Sequence, residues 1–130
     1  MVKGETMQIG RLDHVNLRTT NLQEMIDWYA EILGMYAGPR PNFPFPGAWM
    51  YSGEDAVVHL VGVEEDAGAG SEIPLKLEHF ALQATGRESF EARLNAADIP
   101  YQNIEISDFG IVQYNIWDPD GNHIHIDFRT

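Results

Sequence analysis

The segments LDHVNL at residues 12–17 and LEHFAL at residues 77–82 decide the fold, because they repeat one short pattern. In each segment, apolar and polar residues alternate for most of its length, which is typical of a half-buried strand. A histidine stands at the third place of both, as His14 and His79. Repeated patterns at a distance indicate a repeated structural unit, so we expect two copies of one module.

A helical pattern follows each of these strands. In residues 22–33 the apolar positions recur at helical spacing, with Asn21 as a plausible N-cap and Gly34 as a stop signal. In residues 88–97 a shorter apolar stripe ends before Pro100. The sequence therefore predicts one helix after the first strand of each half.

Short strand-like runs come after each helix. They occupy residues 49–51 and 56–63 in the first half, and 101–106, 111–117 and 123–128 in the second. DPDGN at residues 118–122 is a strong hairpin signal. This order predicts an α+β fold of two tandem βαβββ modules.

The module boundaries follow from the same pattern. We expect a single domain over residues 1–130, with modules at 11–63 and 75–128 and a linker from Glu64 to Pro74. Residues 38–47 (GPRPNFPFPG) hold four prolines and should form a second loop.

Composition excludes several classes of protein. Eight Lys and Arg against twenty Asp and Glu give a net charge of −12, which argues against nucleic acid or an anionic membrane as a partner. The chain has no cysteine, so disulfides, thiolate zinc sites and cysteine nucleophiles are absent. Without an apolar leader or a span of about 20 apolar residues, a cytoplasmic location is expected.

Four histidines occupy matching positions in the two halves. His14 and His59 are 45 residues apart. His79 and His125 are 46 residues apart. One strand histidine is more often a hydrogen-bonded structural residue than a ligand. Four at repeat-equivalent positions favour a metal site, since imidazole is the commonest metal ligand.

The last strand adds further polar candidates. By the two-residue period of a strand, His123, His125 and Asp127 share one face. His123 has no counterpart in the first half and lies beside the turn, so we expect it to face solvent or to support the ligands from outside. Asp127 could supply a carboxylate, although surface exposure is the simpler interpretation. Candidates for catalytic proton transfer are His123, His125, Asp127 and Tyr114.

In this order, the motifs resemble the vicinal oxygen chelate superfamily, which includes glyoxalase I, extradiol dioxygenases, and fosfomycin- and bleomycin-resistance proteins. The matching segments span residues 11–128 and are LDHV at 12–15, WY at 28–29, LG at 33–34, AVVHL at 56–60, LEHF at 77–80, and DPDGN at 118–122 followed by Ile124. The resemblance implies a curved, mixed half-barrel sheet around a metal, with helices on its outer face.

The resemblance also implies a ligand set. The first and last strands of each module provide the ligands in that superfamily, and the matching positions here are His14, His59, His79 and His125. The family usually has Glu at the position of His125, and glyoxalase I has a carboxylate at that of His59. A site made of imidazoles suits Zn, Ni, Co or Fe(II) better than Mg or Ca.

The expected function is that of a metal-dependent lyase or isomerase acting on a small, oxygen-rich organic substrate. An Fe(II) dioxygenase of the extradiol type is one alternative, and a metal-free protein that sequesters a ligand, as bleomycin-resistance proteins do, is another. We expect a homodimer, with its sites within one chain or shared between chains.

Several residues outside the histidine set are candidates for contact with a substrate. Arg18 and Arg40 could pair with a substrate carboxylate, although surface ion pairs are the simpler explanation. Trp49, Tyr51 and Phe109 are candidates for the pocket wall, although such aromatic residues are more often core or interface residues.

Overall fold

The computed structural model describes residues 6–8, 10–65 and 77–130. Two units of the same element order follow one another along the chain. The first unit contains β1 (Val15–Thr19), α1 (Leu22–Glu31), β2 (Tyr36–Gly38), β3 (Gly47–Ser52) and β4 (Asp55–Gly62). The second contains β5 (Phe80–Ala84), α2 (Arg87–Ala96), β6 (Gln102–Ile106), a 3-10 turn (Ser107–Phe109), β7 (Ile111–Trp117) and β8 (His123–Arg129).

Each unit folds its four strands into one mixed sheet. The strand orders are β1-β4-β3-β2 and β5-β8-β7-β6. The first strand of each unit runs parallel to the last, and the remaining neighbours are antiparallel. No closed barrel forms within the described residues. The predicted fold class, an α+β fold of two βαβββ modules, is confirmed.

The strands begin later than the sequence pattern suggested. β1 begins at Val15 and β5 at Phe80, each one residue after its histidine. Pairing explains the difference, because the parallel registers start at Val15 with Val58 and at Phe80 with Ile124. The short strand β2 was not predicted, and residues 66–74 of the expected linker lie outside the described part of the chain.

The core lies between the helices and one face of each sheet. α1 buries Met25 and Tyr29, and α2 buries Phe90 and Leu94. The sheet residues that meet them are Leu17, Met50, Val58, Leu60, Val112, Tyr114, Ile116, Ile124, Ile126 and Phe128. Because side chains alternate along a strand, the residues between these positions lie on the opposite face of each sheet, and most of the candidate site residues are among them.

One buried carboxylate connects the two modules. Tyr29 on α1 donates a hydrogen bond from its hydroxyl to Oδ2 of Asp118, at 2.7 Å. Oδ1 of Asp118 accepts hydrogen bonds from the backbone amides of Asp120 and Asn122, which shapes the DPDGN turn. Burial raises the pKa of Asp118, and the hydrogen bonds that it accepts oppose that rise. The turn that precedes β8 is thus held against the first module.

Replacing Tyr29 with Phe should lower the free energy of unfolding by about 1–3 kcal/mol, because a buried carboxylate oxygen loses its phenol donor. Urea unfolding of the variant and the wild type measures this difference. Tyr36→Phe is the matched control, since that hydroxyl donates to the carbonyl of Gly53 in an exposed position. Equal losses in the two variants would contradict a special role for the Tyr29–Asp118 contact.

Candidate metal centre

The histidines form one stacked pair in each module. The ring of His14 stacks on that of His59, with centroids 3.8 Å apart and planes 9° from parallel. The ring of His79 stacks on that of His125, at 3.9 Å and 13°. His59 and His125 are both buried. The histidine before the first strand therefore meets the histidine of the last strand twice, with almost the same geometry.

An acidic neighbour orients the first histidine of each pair. Nδ1 of His14 lies 2.7 Å from Oδ1 of Asp13, and Nδ1 of His79 contacts Oε1 of Glu78. A carboxylate accepts the proton of Nδ1, which leaves Nε2 as the nitrogen with a lone pair for a metal. These hydrogen bonds lower the pKa values of Asp13 and Glu78. The motifs LDH and LEH already carried this signal in the sequence.

The second module adds a third imidazole. One ring nitrogen each of His79, His123 and His125 lie within 4.8 Å of one another. Across the described ranges, this is the one group of three or more residues whose ligand atoms lie close enough to share an ion. The expectation that His123 faces solvent is wrong, since its side chain is only 11% exposed. The parallel pairing of β5 with β8 places His79 beside His123, and this register could not be known from the sequence.

Two neighbours on β7 hold His123 in place. Its ring stacks on Trp117, with centroids 4.8 Å apart and planes 9° from parallel. Nε2 of His123 lies 2.9 Å from Oδ1 of Asn115. An amide oxygen only accepts, so Nε2 carries the proton and Nδ1 carries the lone pair that a metal needs. Asn115 and Trp117 are not among the site candidates that the sequence pattern indicates.

The first module provides a different environment. Trp49 stacks on His59 at 4.1 Å and 13°, so that Trp49, His59 and His14 form a continuous stack of three rings. Across the described parts of the chain, histidine rings contact other histidines only within their own module. The four histidines expected in one site thus lie in two separate pairs, and a single four-ligand centre stays a prediction.

The buried histidines are poised in the neutral form. Burial is the main cause that lowers the pKa of His125, and the neighbouring His79 and His123 lower it further. Burial also lowers the pKa of His59, and His14 adds to that effect. Since only a neutral imidazole can donate its lone pair, both environments favour the ligand form.

Tyr114 and Phe109 lie away from the histidines. Tyr114 is fully buried on the helix-facing side of β7. Its hydroxyl donates to Glu91 and accepts a hydrogen bond from Nε of Arg87 at 3.0 Å. Phe109 is 74% exposed in the turn before β7. The structure does not bring either side chain to the expected site.

The other substrate-contact candidates lie in the first module. The guanidinium of Arg40 lies over the rings of Phe43 and Phe45, at 5.0 and 5.1 Å, and it donates to the carbonyl of Phe45. It therefore stabilises its own proline-rich loop. Arg18 is exposed on the strand face that continues from His14. A contact between Arg18 and a substrate stays a prediction.

Trp49 and Tyr51 lie near the first histidine pair. Trp49 covers one face of His59. Tyr51 donates its hydroxyl proton to the carbonyl of Pro39 at 2.5 Å. Its side chain borders a cleft of about 310 Å³ that also touches Asp13 and His59. Both aromatic residues are thus adjacent to the predicted ligands.

Comparison with known proteins identifies the family. Residues 11–126 match the model of the Glyoxalase/Bleomycin resistance protein/Dioxygenase superfamily. The chain belongs to this superfamily, which is the vicinal oxygen chelate group that the motifs resemble. No helix in the described ranges is long and apolar enough to cross a membrane.

Individual relatives agree with this assignment. A protein of Arabidopsis thaliana named "Glyoxylase I 4" is 27% identical over 128 residues, which cover 95% of this chain and 73% of that protein. A glyoxalase family structure from Bacillus anthracis superposes with a TM-score of 0.78 at 20% identity, covering 97% of this chain and 100% of the other. Lactoylglutathione lyase of Agrobacterium tumefaciens superposes with a TM-score of 0.69 at 18% identity, covering 94% and 96%. At these identities, the two structures establish the fold alone.

In the metal-free protein, His59 and His125 should titrate below the ordinary histidine pKa of 6.5. Near pH 6.5 and just below it, the unfolded chain therefore binds more protons at these histidines than the folded chain does. The free energy of unfolding should therefore fall as the pH drops through and below 6.5. NMR titration of the histidine ring protons measures the two pKa values, and urea unfolding from pH 7.5 to 5.5 measures the stability. His125→Gln should make the stability less dependent on pH, and an unchanged slope would contradict the proposed cause.

Proposed function

We propose that this chain is a metal-dependent enzyme, a lyase or isomerase of glyoxalase type that acts on a small organic substrate with vicinal oxygens. The observation that carries the proposal is the group formed by His79, His123 and His125. Membership of the glyoxalase superfamily supports it.

The residues present fit a divalent ion of intermediate softness. Three imidazoles converge in the second module, and the surroundings of each are defined. Glu78 contacts Nδ1 of His79, and Oδ1 of Asn115 contacts Nε2 of His123, so that the other ring nitrogen of each histidine is the one that can bind the ion. Burial lowers the pKa of His125. Nitrogen ligands of this kind suit Zn, Ni, Co or Fe(II). Carboxylates and amides behind the ligands are a common feature of metal sites.

The first-module pair is proposed to complete the site. His14 and His59 are built in the same way as His79 and His125, yet they lie apart from them. A symmetric homodimer offers one way to join the two pairs. Its two-fold axis can bring the first module of each chain to the second module of the other chain, which gives two equivalent sites. Movement of the two modules within one chain is the other way. Chelation by His14 and His59 is part of the proposal in both cases, with no more than four of the five imidazoles on the ion at once, so that two positions would stay open for the substrate.

The chemistry divides between the ion and the chain. When bound, a divalent ion would polarise a substrate carbonyl and stabilise the oxyanion that develops. The histidines orient the substrate oxygens by fixing where the ligand positions remain open. Trp49 and Trp117 cover His59 and His123 and limit water on those sides. Of the four catalytic candidates, His123 and His125 are proposed as ligands and Tyr114 lies on the opposite face of the sheet. Asp127 is the remaining candidate and shares a strand face with His125.

A dioxygenase is the second candidate, and one observation favours it. If His79, His123 and His125 alone held the ion, a six-coordinate ion would have three positions left. That number suffices for a substrate that chelates through two oxygens and for O₂. The identity of the retained metal distinguishes the two candidates, because Fe(II) supports reactions with O₂, whereas Zn, Ni and Co support Lewis-acid chemistry.

Removing a ligand should abolish metal retention. His79→Ala, His123→Ala and His125→Ala should each lower the metal content from near one ion per chain to background, as measured by elemental mass spectrometry after purification without a tag or chelator. Gln23→Ala is the control, since Gln23 is exposed on α1 and donates a hydrogen bond to Asp27. Full retention in all three histidine variants, or a wild type that binds no metal even after refilling, would contradict the proposal and favour a metal-free binding protein.

Glu78→Gln should weaken metal binding by about 10–100-fold without abolishing it, because the amide supports His79 less strongly than the carboxylate does. Competition with a chromogenic chelator measures the affinity. Glu88→Gln is the matched control, an exposed acid in the first turn of α2. An unchanged affinity in Glu78→Gln would remove the orienting role from this contact.

A further inference from the structure

Asn115 is a buried amide on β7 that contacts a neighbouring strand at one end and a histidine at the other. The residue is only 4% exposed. Its Nδ2 donates a hydrogen bond to the backbone carbonyl of Gln102 on β6, at 3.2 Å. Its Oδ1 lies 2.9 Å from Nε2 of His123. The side chain of Asn115 therefore connects the backbone of the sheet to the group of histidines.

The contact with Gln102 determines which end of the amide faces His123. A backbone carbonyl only accepts hydrogen bonds, so the amino group of Asn115 must face it. If the amide turned over, its oxygen would meet the carbonyl oxygen of Gln102, and two acceptors repel each other. The amide oxygen consequently faces His123, and only a protonated ring nitrogen can pair with it. The backbone of β6 thus selects, through Asn115, the tautomer of His123 that has its proton on Nε2.

The second nitrogen of His123 lies next to the acidic residue of the site. Nδ1 of His123 is 3.4 Å from Oε1 of Glu78, the same oxygen that contacts Nδ1 of His79. When the proton of His123 is on Nε2, the lone pair of Nδ1 and this carboxylate oxygen are both rich in electrons. A cation close to them relieves their repulsion. The arrangement around Nδ1 therefore favours a positive ion.

The ring of His123 is also restrained from its side. Trp117 is the cross-strand neighbour of His123, and the two rings stack within 9° of parallel. A tilt of the imidazole away from Asn115 would disrupt this stack. The hydrogen bond and the stack thus act together to hold the ring in one orientation.

The first module lacks both the third histidine and its amide partner. By strand register, Trp49 takes the position of Asn115, and Val57 takes that of His123. The two modules otherwise share their stacked pairs of histidines. The amide and the histidine that it contacts are thus present together in one module and absent together from the other. This association indicates that Asn115 serves His123.

We propose that Asn115 is a positioning residue that makes Nδ1 of His123 the nitrogen that binds the metal. This inference rests on the proposed function, because it requires an ion in the group of His79, His123 and His125. It goes further in assigning the ligand atoms. His79, whose Nδ1 contacts Glu78, binds through Nε2, whereas His123 binds through Nδ1.

NMR spectroscopy of the metal-free protein tests the assignment without any enzymatic reaction. Long-range proton–nitrogen correlation spectra at about pH 8, where an ordinary histidine is neutral, show which ring nitrogen carries the proton. The signals of His123 are those that are missing from the spectrum of His123→Gln. We expect the proton of His123 on Nε2. When zinc is added, the signal of Nδ1 should shift while Nε2 keeps its proton.

Two substitutions of Asn115 separate its role as an acceptor from its role in packing. Asn115→Leu has a similar size but no acceptor, so His123 should lose its tautomer preference and zinc should bind about 10–100-fold more weakly. Asn115→Asp keeps an oxygen at the same place and should retain both the Nε2 proton and most of the affinity. Competition with a chromogenic chelator measures the zinc affinity.

Gln113→Leu is the matched control for these variants. Gln113 lies on β7 two residues before Asn115, so it is on the same face of the sheet, and the substitution is of the same kind. It should change neither the tautomer of His123 nor the zinc affinity.

The outcomes separate this inference from the proposed function. If the wild type binds zinc but His123 carries a proton on Nδ1 before zinc is added, or binds zinc through Nε2, the role of Asn115 is overturned while the metal site stands. An unchanged tautomer or an unchanged zinc affinity in Asn115→Leu has the same consequence. If the wild type binds no zinc, the proposed function fails and this inference fails with it. Should Asn115→Leu not fold, the wild-type spectra and Asn115→Asp still decide, since a proton on Nδ1 in either would overturn the inference.

Discussion

The parallel pairing of the first strand with the last strand in each module is the constraint on which the site depends. A parallel pair requires a long crossover, and here the helix and two further strands of the module form that crossover. In this register the apolar residues of the last strands lie on the helix-facing side of each sheet, so Val58 and Ile124 point into the core. Their neighbours His59 and His125 must then point outward. The buried apolar face thus fixes where the histidines lie.

The two modules share this frame and differ in what is placed on it. Both carry an acidic residue before the first histidine and a stacked histidine on the last strand. The first module adds Trp49, which extends the stack, and Val57 at the position of His123. The second adds His123 and Asp127, which extend the polar face in both directions along β8. One copy of the repeat has thus become richer in ligands than the other.

The buried histidines show how polar side chains can lie near a core without a large desolvation penalty. Each buried imidazole has a stacking partner, and the exposed nitrogen of the first histidine is paired with a carboxylate. Burial lowers the pKa of His59 and His125, so that no buried cation needs to be compensated. The net charge of −12 attracts a divalent cation at long range. Among the described residues, Oδ1 of Asp127 is a buried oxygen without a hydrogen-bond partner.

The sequence by itself determined the repeat, the element types, the fold class and the histidine positions. Each of these depends on local patterns, namely strand alternation, helical spacing and the DPDGN turn. It also indicated the acidic partners, since LDH and LEH place a carboxylate next to each histidine. Only the tertiary structure decided which histidines meet. The strand register places His123 in the group with His79 and His125, whereas the sequence pattern had suggested a position in solvent. The same register places Tyr114 on the helix-facing side of the sheet. The separation of the histidines into two pairs also depends on how the modules pack, through contacts such as Tyr29 with Asp118. Such contacts join residues far apart in the chain, and no local pattern encodes them.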